Sequence, residues 1–103
     1  MPRESKVGPF EQLVLLAVLQ LKESAYGMTI RREIENRIER RISLGAVYTT
    51  LERLKKKGYV SSWTGSPTPE RGGRSKRFFK VEALGKAALR NSAVMHAAMS
   101  AGL

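Results

Sequence analysis

The segment GAVYTTLERLKKKGYV, from Gly45 to Val60, constrains the fold more than any other part of the chain. Ser43 is the expected N-cap of a helix here, and Gly58 is the expected stop. One side of this helix is apolar within a sector of about 80°, through Leu44, Val47, Leu51 and Leu54. The opposite side has small residues first and cations last. The pattern predicts a helix that packs by one face and leaves the other open.

The flanking segments predict the other elements in the order helix, helix, helix, strand, basic loop, strand, helix. Helical periodicity runs through KVGPFEQLVLLAVLQLK and YGMTIRREIENRIERR, joined by the connector ESAY, and returns in EALGKAALRNSAVMHAAMS. The segments YVSSWTG and KRFFKVE predict two strands on either side of the turn-rich loop SPTPERGGRSK. The predicted fold class is mainly α, a winged helix-turn-helix with a three-helix core and a two-stranded wing.

The first helical segment is apolar around almost its whole circumference, from Leu13 to Leu21. A helix with this pattern is buried on all sides. Such burial is hard to arrange within a single chain of 103 residues. The segment therefore indicates that a second copy of the chain covers part of it.

Charge narrows the class of partner. The chain has 19 Lys and Arg residues against nine acidic residues, all of them Glu, which gives a net charge of +10. Such an excess indicates a polyanion, either nucleic acid or an anionic membrane surface, and the clustering of the cations favours nucleic acid. The longest apolar run, LVLLAVL, is too short to cross a bilayer, and the N-terminus has no apolar leader. We expect a cytoplasmic protein without a membrane partner.

No set of residues in the sequence suits catalysis or metal binding. His96 is the only His, and the chain has neither Cys nor Asp, so the usual metal sites and catalytic triads cannot form. We expect no enzymatic activity, no metal and no cofactor. Trp63 is expected to pack on the hairpin. Two roles stay open for Met28, Met95 and Met99: plain packing, or the lining of a cavity for a small apolar effector.

Two short helices joined by a tight turn form a helix-turn-helix, whose second helix enters the major groove of double-stranded DNA. Gly45 and Ala46 would permit close approach, and Thr49 would offer a hydroxyl and a methyl group to base edges. Longer side chains and the hairpin tip would contact phosphates. The expected DNA-binding residues are Ser43, Gly45, Tyr48, Thr49, Arg53, Lys56, Arg74 and Lys76. The alternative is that these positions are simply solvated and that the charge of the loop is incidental.

These residues resemble a known family, the PadR-type winged helix-turn-helix transcriptional regulators. The resemblance runs through YGMTIRREIE, LGAVYTTLERLKKKGYVSS and GGRSKRFFKVEALGKAAL, which span most of the chain. The family pattern G-x-x-Y-x-x-L-x-x-L-x-x-x-G is complete from Gly45 to Gly58. One departure is the pair Phe78 and Phe79, where the family usually has two Tyr residues. The change keeps the packing and removes two hydroxyl groups.

The resemblance implies a homodimeric regulator, most often a repressor, that binds a palindromic operator. Because the sequence stops at Leu103, it resembles the short class of the family, with a single C-terminal dimerisation helix. We therefore expect a winged-helix DNA-binding domain over residues 1–82 and a dimerisation helix over residues 83–103. Some relatives bind aromatic effectors with aromatic side chains at the dimer interface, and the last helix here has none. The expected dimer interface consists of Leu13, Leu16, Leu84, Ala88, Met95 and Met99.

Two other classes of function stay open at this point. A non-specific architectural nucleic-acid-binding protein would bind all duplexes with similar affinity. A winged-helix protein–protein interaction module would dock onto an acidic partner and would bind DNA weakly even at low salt.

Overall fold

The computed structural model describes residues 7–65 and 75–103. Its elements are α1 Pro9–Leu21, a 3-10 turn Lys22–Ser24, α2 Gly27–Ile38, α3 Leu44–Lys56, β1 Val60–Thr64, β2 Arg77–Val81 and α4 Ala83–Ser100. The predicted order of elements and the mainly helical fold with a two-stranded wing, β1 and β2, are confirmed. No helix within the described ranges is both long enough and apolar enough to cross a membrane.

The core lies between the first three helices and the inner face of the wing. The predicted apolar face of α3 is confirmed, because Val47, Leu51 and Leu54 are fully buried, whereas Leu44 is only half-buried. Thr50 is also buried, which widens the packed face beyond the prediction. Burying each large apolar side chain stabilises the fold by about 1.5–3 kcal/mol. The other fully buried large side chains are Val14, Leu15, Val18, Ile30 and Phe79.

The outer side of α1 is only partly covered in the single chain. The inner side is buried through Val14, Leu15 and Val18, but Leu16 is 47% exposed and Leu19 is 36% exposed. The single chain therefore does not cover α1 on all sides, and cover by a second copy of the chain stays a prediction. The chain has too few other elements to surround the helix.

α2 ends earlier than its periodicity predicts. Glu39 adopts a left-handed conformation, with φ 55° and ψ 45°, and its N–H donates to the Glu35 carbonyl. The Glu35 carboxylate then accepts a hydrogen bond from the Ile42 N–H at 2.8 Å. These two interactions end the helix and hold the turn that leads into α3.

β1 pairs antiparallel with β2 along its whole length, and the connector before α2 adds one isolated β-bridge to the edge of β2. Tyr26 forms a bridge with Phe78, and the Phe79 N–H donates to the Ala25 carbonyl at 2.9 Å. The sequence predicts only a short connector here, ESAY, between the first two helices. Because a single bridge involves so few residues, it leaves no periodicity in the sequence.

Only the first two turns of α4 belong to the core. Gly85 and Ala88 are buried there, and the Glu82 N–H donates to the Tyr59 carbonyl at 2.8 Å, which ties the start of α4 to the beginning of β1. The placement of Ala88 in the dimer interface is therefore wrong, because its side chain is enclosed by its own chain. Three apolar residues later in α4 are each more than 60% exposed: Val94, Met95 and Met99.

Candidate nucleic-acid interface

The first half of α3 presents a narrow and open face. Ser43 Oγ accepts a hydrogen bond from the Ala46 N–H at 3.0 Å, which confirms Ser43 as the N-cap. Gly45, Ala46 and Thr49 are exposed, and no atom lies within 4 Å of the position that a Cβ at Gly45 would take. The buried face of α3 lies opposite. We call this face lean because it carries only small side chains. A helix that packs on one side and has a lean face on the other fits into the major groove of DNA.

Tyr48 borders this open face and leans towards α2. Its phenol ring lies over Gly27, the first residue of α2. The Tyr48 side chain remains 37% exposed. The ring is therefore supported by the neighbouring helix while part of it stays open to solvent.

Two cations near the end of α3 are held by one carboxylate. Lys57 Nζ lies 3.1 Å from Glu11 Oε1 and 2.9 Å from Oε2, and Arg53 Nη1 lies 4.0 Å from Glu11 Oε2. The buried Glu11 also accepts a hydrogen bond from the Gly8 N–H at 2.8 Å. Burial alone would raise the pKa of Glu11, but the hydrogen bonds from Gly8 and Lys57 and the nearby positive charges lower this pKa below its ordinary value. Lys56, by contrast, is exposed.

Arg77, which the sequence analysis does not single out, connects the wing to α3. Its guanidinium forms an ion pair with Glu52, and the hydrogen bond from Arg77 lowers the pKa of Glu52. Arg77 Nε also donates to Ser62 Oγ at 3.3 Å, and the guanidinium lies 5.0 Å from the centre of the Phe79 ring. The alternation of side chains along a strand puts residues 77 and 79 on one face. That alternation is the signal from which the contact could have been found.

The outer face of the wing carries an aromatic cluster. Phe78 stacks on Trp63 at 5.8 Å and meets Tyr26 edge-on at 5.5 Å, so Trp63 packs on the hairpin as predicted. Lys76 Nζ lies 5.3 Å from the centre of the Tyr26 ring. This expected DNA-binding cation is thus held at the base of the hairpin loop. The other two cations of the predicted tip, Arg71 and Arg74, lie outside the described residues.

A second exposed surface is apolar and runs along α4 and the outer side of α1. Leu13 is half-buried against the core. Four of the residues expected at the dimer interface are between 47% and 85% exposed in the single chain: Leu16, Leu84, Met95 and Met99. An open groove of about 780 Å³ separates the two helices, and its lining includes Leu16, Leu19, Leu89, Ala93 and His96. None of the three Met residues considered for an effector cavity lines this groove.

The described residues contain no metal centre. Within residues 7–65 and 75–103, no group of three or more His, Cys, Asp or Glu side chains could hold a metal ion. His96 is exposed, and its Nδ1 lies 3.4 Å from Ser100 Oγ.

The sequence matches the model of the transcriptional regulator PadR-like family over residues 15–91. This range takes in the second half of α1, the whole helix-turn-helix, the wing and the first half of α4. None of the curated proteins matches the chain.

Solved structures of similar proteins share this fold. A transcriptional regulator from Clostridium thermocellum has a TM-score of 0.72 at 18% identity, over 86% of this chain and 81% of that one. A PadR-like transcription factor from Bacteroides fragilis has a TM-score of 0.70 at 21% identity, over 87% and 82%. A PadR family transcription regulator from Clostridium difficile R20291 has a TM-score of 0.66 at 23% identity, over 87% and 90%. The shared fold and the family match over most of the sequence establish that the chain belongs to the PadR-like family of transcriptional regulators, which are DNA-binding proteins and not enzymes.

Proposed function

We propose that this chain is a sequence-specific repressor that binds a palindromic operator as a homodimer. The observation that carries the proposal is the division of α3 into two faces. Val47, Leu51 and Leu54 fix the helix in the core, while Gly45 and Thr49 stay exposed on the other side. A firmly held helix with a lean outer face can enter a major groove without first being reordered.

The exposed side chains suit different parts of the duplex. Thr49 offers a hydroxyl and a methyl group at the centre of the lean face, where base edges come within reach. Tyr48 and Lys56 lie farther out, where phosphates pass. Arg53 contributes a positive charge close to the same face, although Glu11 holds its guanidinium at 4.0 Å. We assign base reading to Thr49 and backbone contacts to the other three residues.

The wing adds contacts that do not depend on sequence. Lys76 lies at the start of β2, and its ammonium group is fixed over the Tyr26 ring. The ion pair between Arg77 and Glu52 links the wing to α3. This link would help to hold the wing at a defined position relative to α3 when both contact DNA. Arg74 belongs to the same proposed phosphate-binding group, as a residue of the tip.

The apolar surface of α4 and α1 supports the homodimer. Leu84, Met95 and Met99 are each more than half exposed in the single chain, and apolar side chains gathered on one surface are typical of a protein–protein contact. A two-fold dimer repeats α3 at a fixed distance of about 34–36 Å, one helical turn of DNA. Because the dimer is symmetric, the operator is expected to be palindromic.

Repression follows from occupancy of the promoter by this dimer in the cytoplasm. A small apolar effector in the groove between α1 and α4 would change operator affinity only if it bound one dimer geometry better than another. Such an effector stays a secondary part of the proposal.

The test is a selection of bound sequences from a pool of random duplexes with the whole chain. The proposal predicts two inverted half-sites at one fixed spacing, bound by two protomers. Similar affinity for every duplex would instead support an architectural protein. Weak binding at low salt would support a module that docks onto an acidic protein.

A further inference from the structure

Gly27 and Tyr48 form a contact that the sequence alone does not reveal. Gly27 is buried at the first position of α2, and Tyr48 belongs to α3. A Cβ at residue 27 would come within 3.0 Å of three atoms, all of them at the far end of the Tyr48 phenol. The ring thus occupies the space that any other residue at position 27 would need for its side chain.

Tyr48 does not belong to the hydrophobic core of the described residues. Its side chain is 37% exposed, and the ring packs against Gly27 of the neighbouring helix. Gly27 has an ordinary negative φ, and the helix itself therefore does not require glycine there. Within the described residues, the Tyr48 hydroxyl forms no hydrogen bond. The contact with Gly27 therefore gives the Tyr48 ring a defined position without engaging its hydroxyl in a hydrogen bond within the described residues.

We propose that Gly27 is a positioning residue for DNA binding. Because Gly27 has no side chain, the Tyr48 ring can lie against α2 in an orientation that directs its hydroxyl at an operator phosphate. The inference rests on the proposed function, in which Tyr48 contacts the DNA backbone. A phenol that is already held against α2 loses less side-chain entropy on binding than a freely rotating one. A methyl group at position 27 would push the ring away and remove this advantage.

The alternative is that Gly27 serves only the packing of α2 against α3. The two explanations differ in how substitutions combine, because a residue that acts through Tyr48 has no effect once Tyr48 is removed. The experiment therefore uses the full chain with G27A, Y48A and the double variant G27A/Y48A. G8A is the matched control, because it adds a methyl group at the start of another helix where the nearest atom would be 3.9 Å away.

Affinity is measured on the selected operator, and thermal melting measures the fold of each variant. Y48A is expected to weaken binding about 30-fold, from the loss of one hydrogen bond in each of two protomers. G27A is expected to melt close to the wild type, because the clashing atoms belong to a side chain that can turn outwards. Its affinity should nevertheless fall by a similar factor. The double variant should bind no worse than Y48A, and G8A should bind like the wild type.

If G27A binds the operator as tightly as the wild type, the positioning role is overturned and the Tyr48 contact stands. The same holds if the double variant binds much more weakly than Y48A. Wild-type affinity of Y48A would overturn both the contact and the inference. Even then, the proposed dimer and its operator would be tested separately, by the selection from random duplexes. If G27A fails to fold, removal of the phenol in G27A/Y48A should restore the fold. A double variant that stays unfolded would show that Gly27 serves packing alone, which also overturns the proposal.

Discussion

Replacing Glu11 by Gln should destabilise the fold at neutral pH. The amide can still accept the hydrogen bond from the Gly8 N–H, so the start of α1 is preserved, but the charge that holds Lys57 at 2.9 Å is lost. Hydrogen bonds to charged groups contribute about 1.5–3 kcal/mol. The Lys57 side chain is 35% exposed, and solvent screening reduces this to about 1–2 kcal/mol. For a domain of this size we expect the melting temperature to fall by about 4–16 °C.

The effect of Glu11→Gln should depend on pH with a definite sign. The folded chain lowers the pKa of Glu11 below its ordinary value of 4.5, so the unfolded chain takes up the proton first as the pH falls. The stabilisation is fully present above about pH 4.5 and is lost as the pH falls through the folded pKa. Glutamine does not titrate. The difference between the wild type and the variant should therefore be largest near pH 7 and should shrink towards pH 3.

Melting of both proteins at one fixed concentration across this pH range is the assay, because dimerisation would make the melting temperature depend on concentration. Glu33→Gln is the matched control. Among the residues that the structure describes, Glu33 pairs only with Arg37, one turn further along α2, and such a pair contributes about 0.3–0.5 kcal/mol. A Glu11→Gln variant that melts within about 2 °C of the wild type at pH 7 would refute the reasoning. A difference that stays the same at pH 3 would also refute it.

Three further substitutions test separate parts of the structure. Gly85→Ala should cost about 1–3 kcal/mol in urea unfolding, because its Cβ would press on the Tyr59 carbonyl and move α4; an unchanged midpoint would contradict this packing. Glu39→Gly should raise stability by about 1 kcal/mol, since it relieves a left-handed φ of 55°, and a loss of stability would count against that strain. Lys76→Ala should weaken binding equally on all duplexes and reduce the salt slope by about 2 units, for one phosphate per protomer; an unchanged slope would place Lys76 away from DNA.

Local spacing in the sequence was sufficient to predict the elements nearest the proposed DNA surface. The burial of Val47, Leu51 and Leu54 depends on the period of a single helix, and the cap at Ser43 depends on a residue three positions away. The wing was equally local, because two aromatic-rich runs flank one turn-rich loop. Each of these features is contained within one short, continuous stretch of the sequence.

Contacts between distant segments could not be predicted in the same way. Glu11 and Lys57 are 46 residues apart, and Ala25 meets Phe79 only after the chain has folded back on itself. Helix α4 shows a further limit of prediction from sequence. Ala88 and Met95 recur on one face of this helix, but Ala88 is fully buried whereas Met95 is 62% exposed. Periodicity identifies the apolar face of a helix, but it does not show where the helix leaves the core.

The central claim is that α3 reads bases through its lean face, and Thr49→Ala tests it most directly. Thr49 is exposed, so its replacement should leave the melting temperature almost unchanged. Affinity is measured side by side on the selected operator and on a scrambled duplex of the same composition. We predict a loss of about 1–3 kcal/mol on the operator and almost none on the scrambled duplex. An equal loss on both duplexes, or no loss on either, would contradict base reading by this helix.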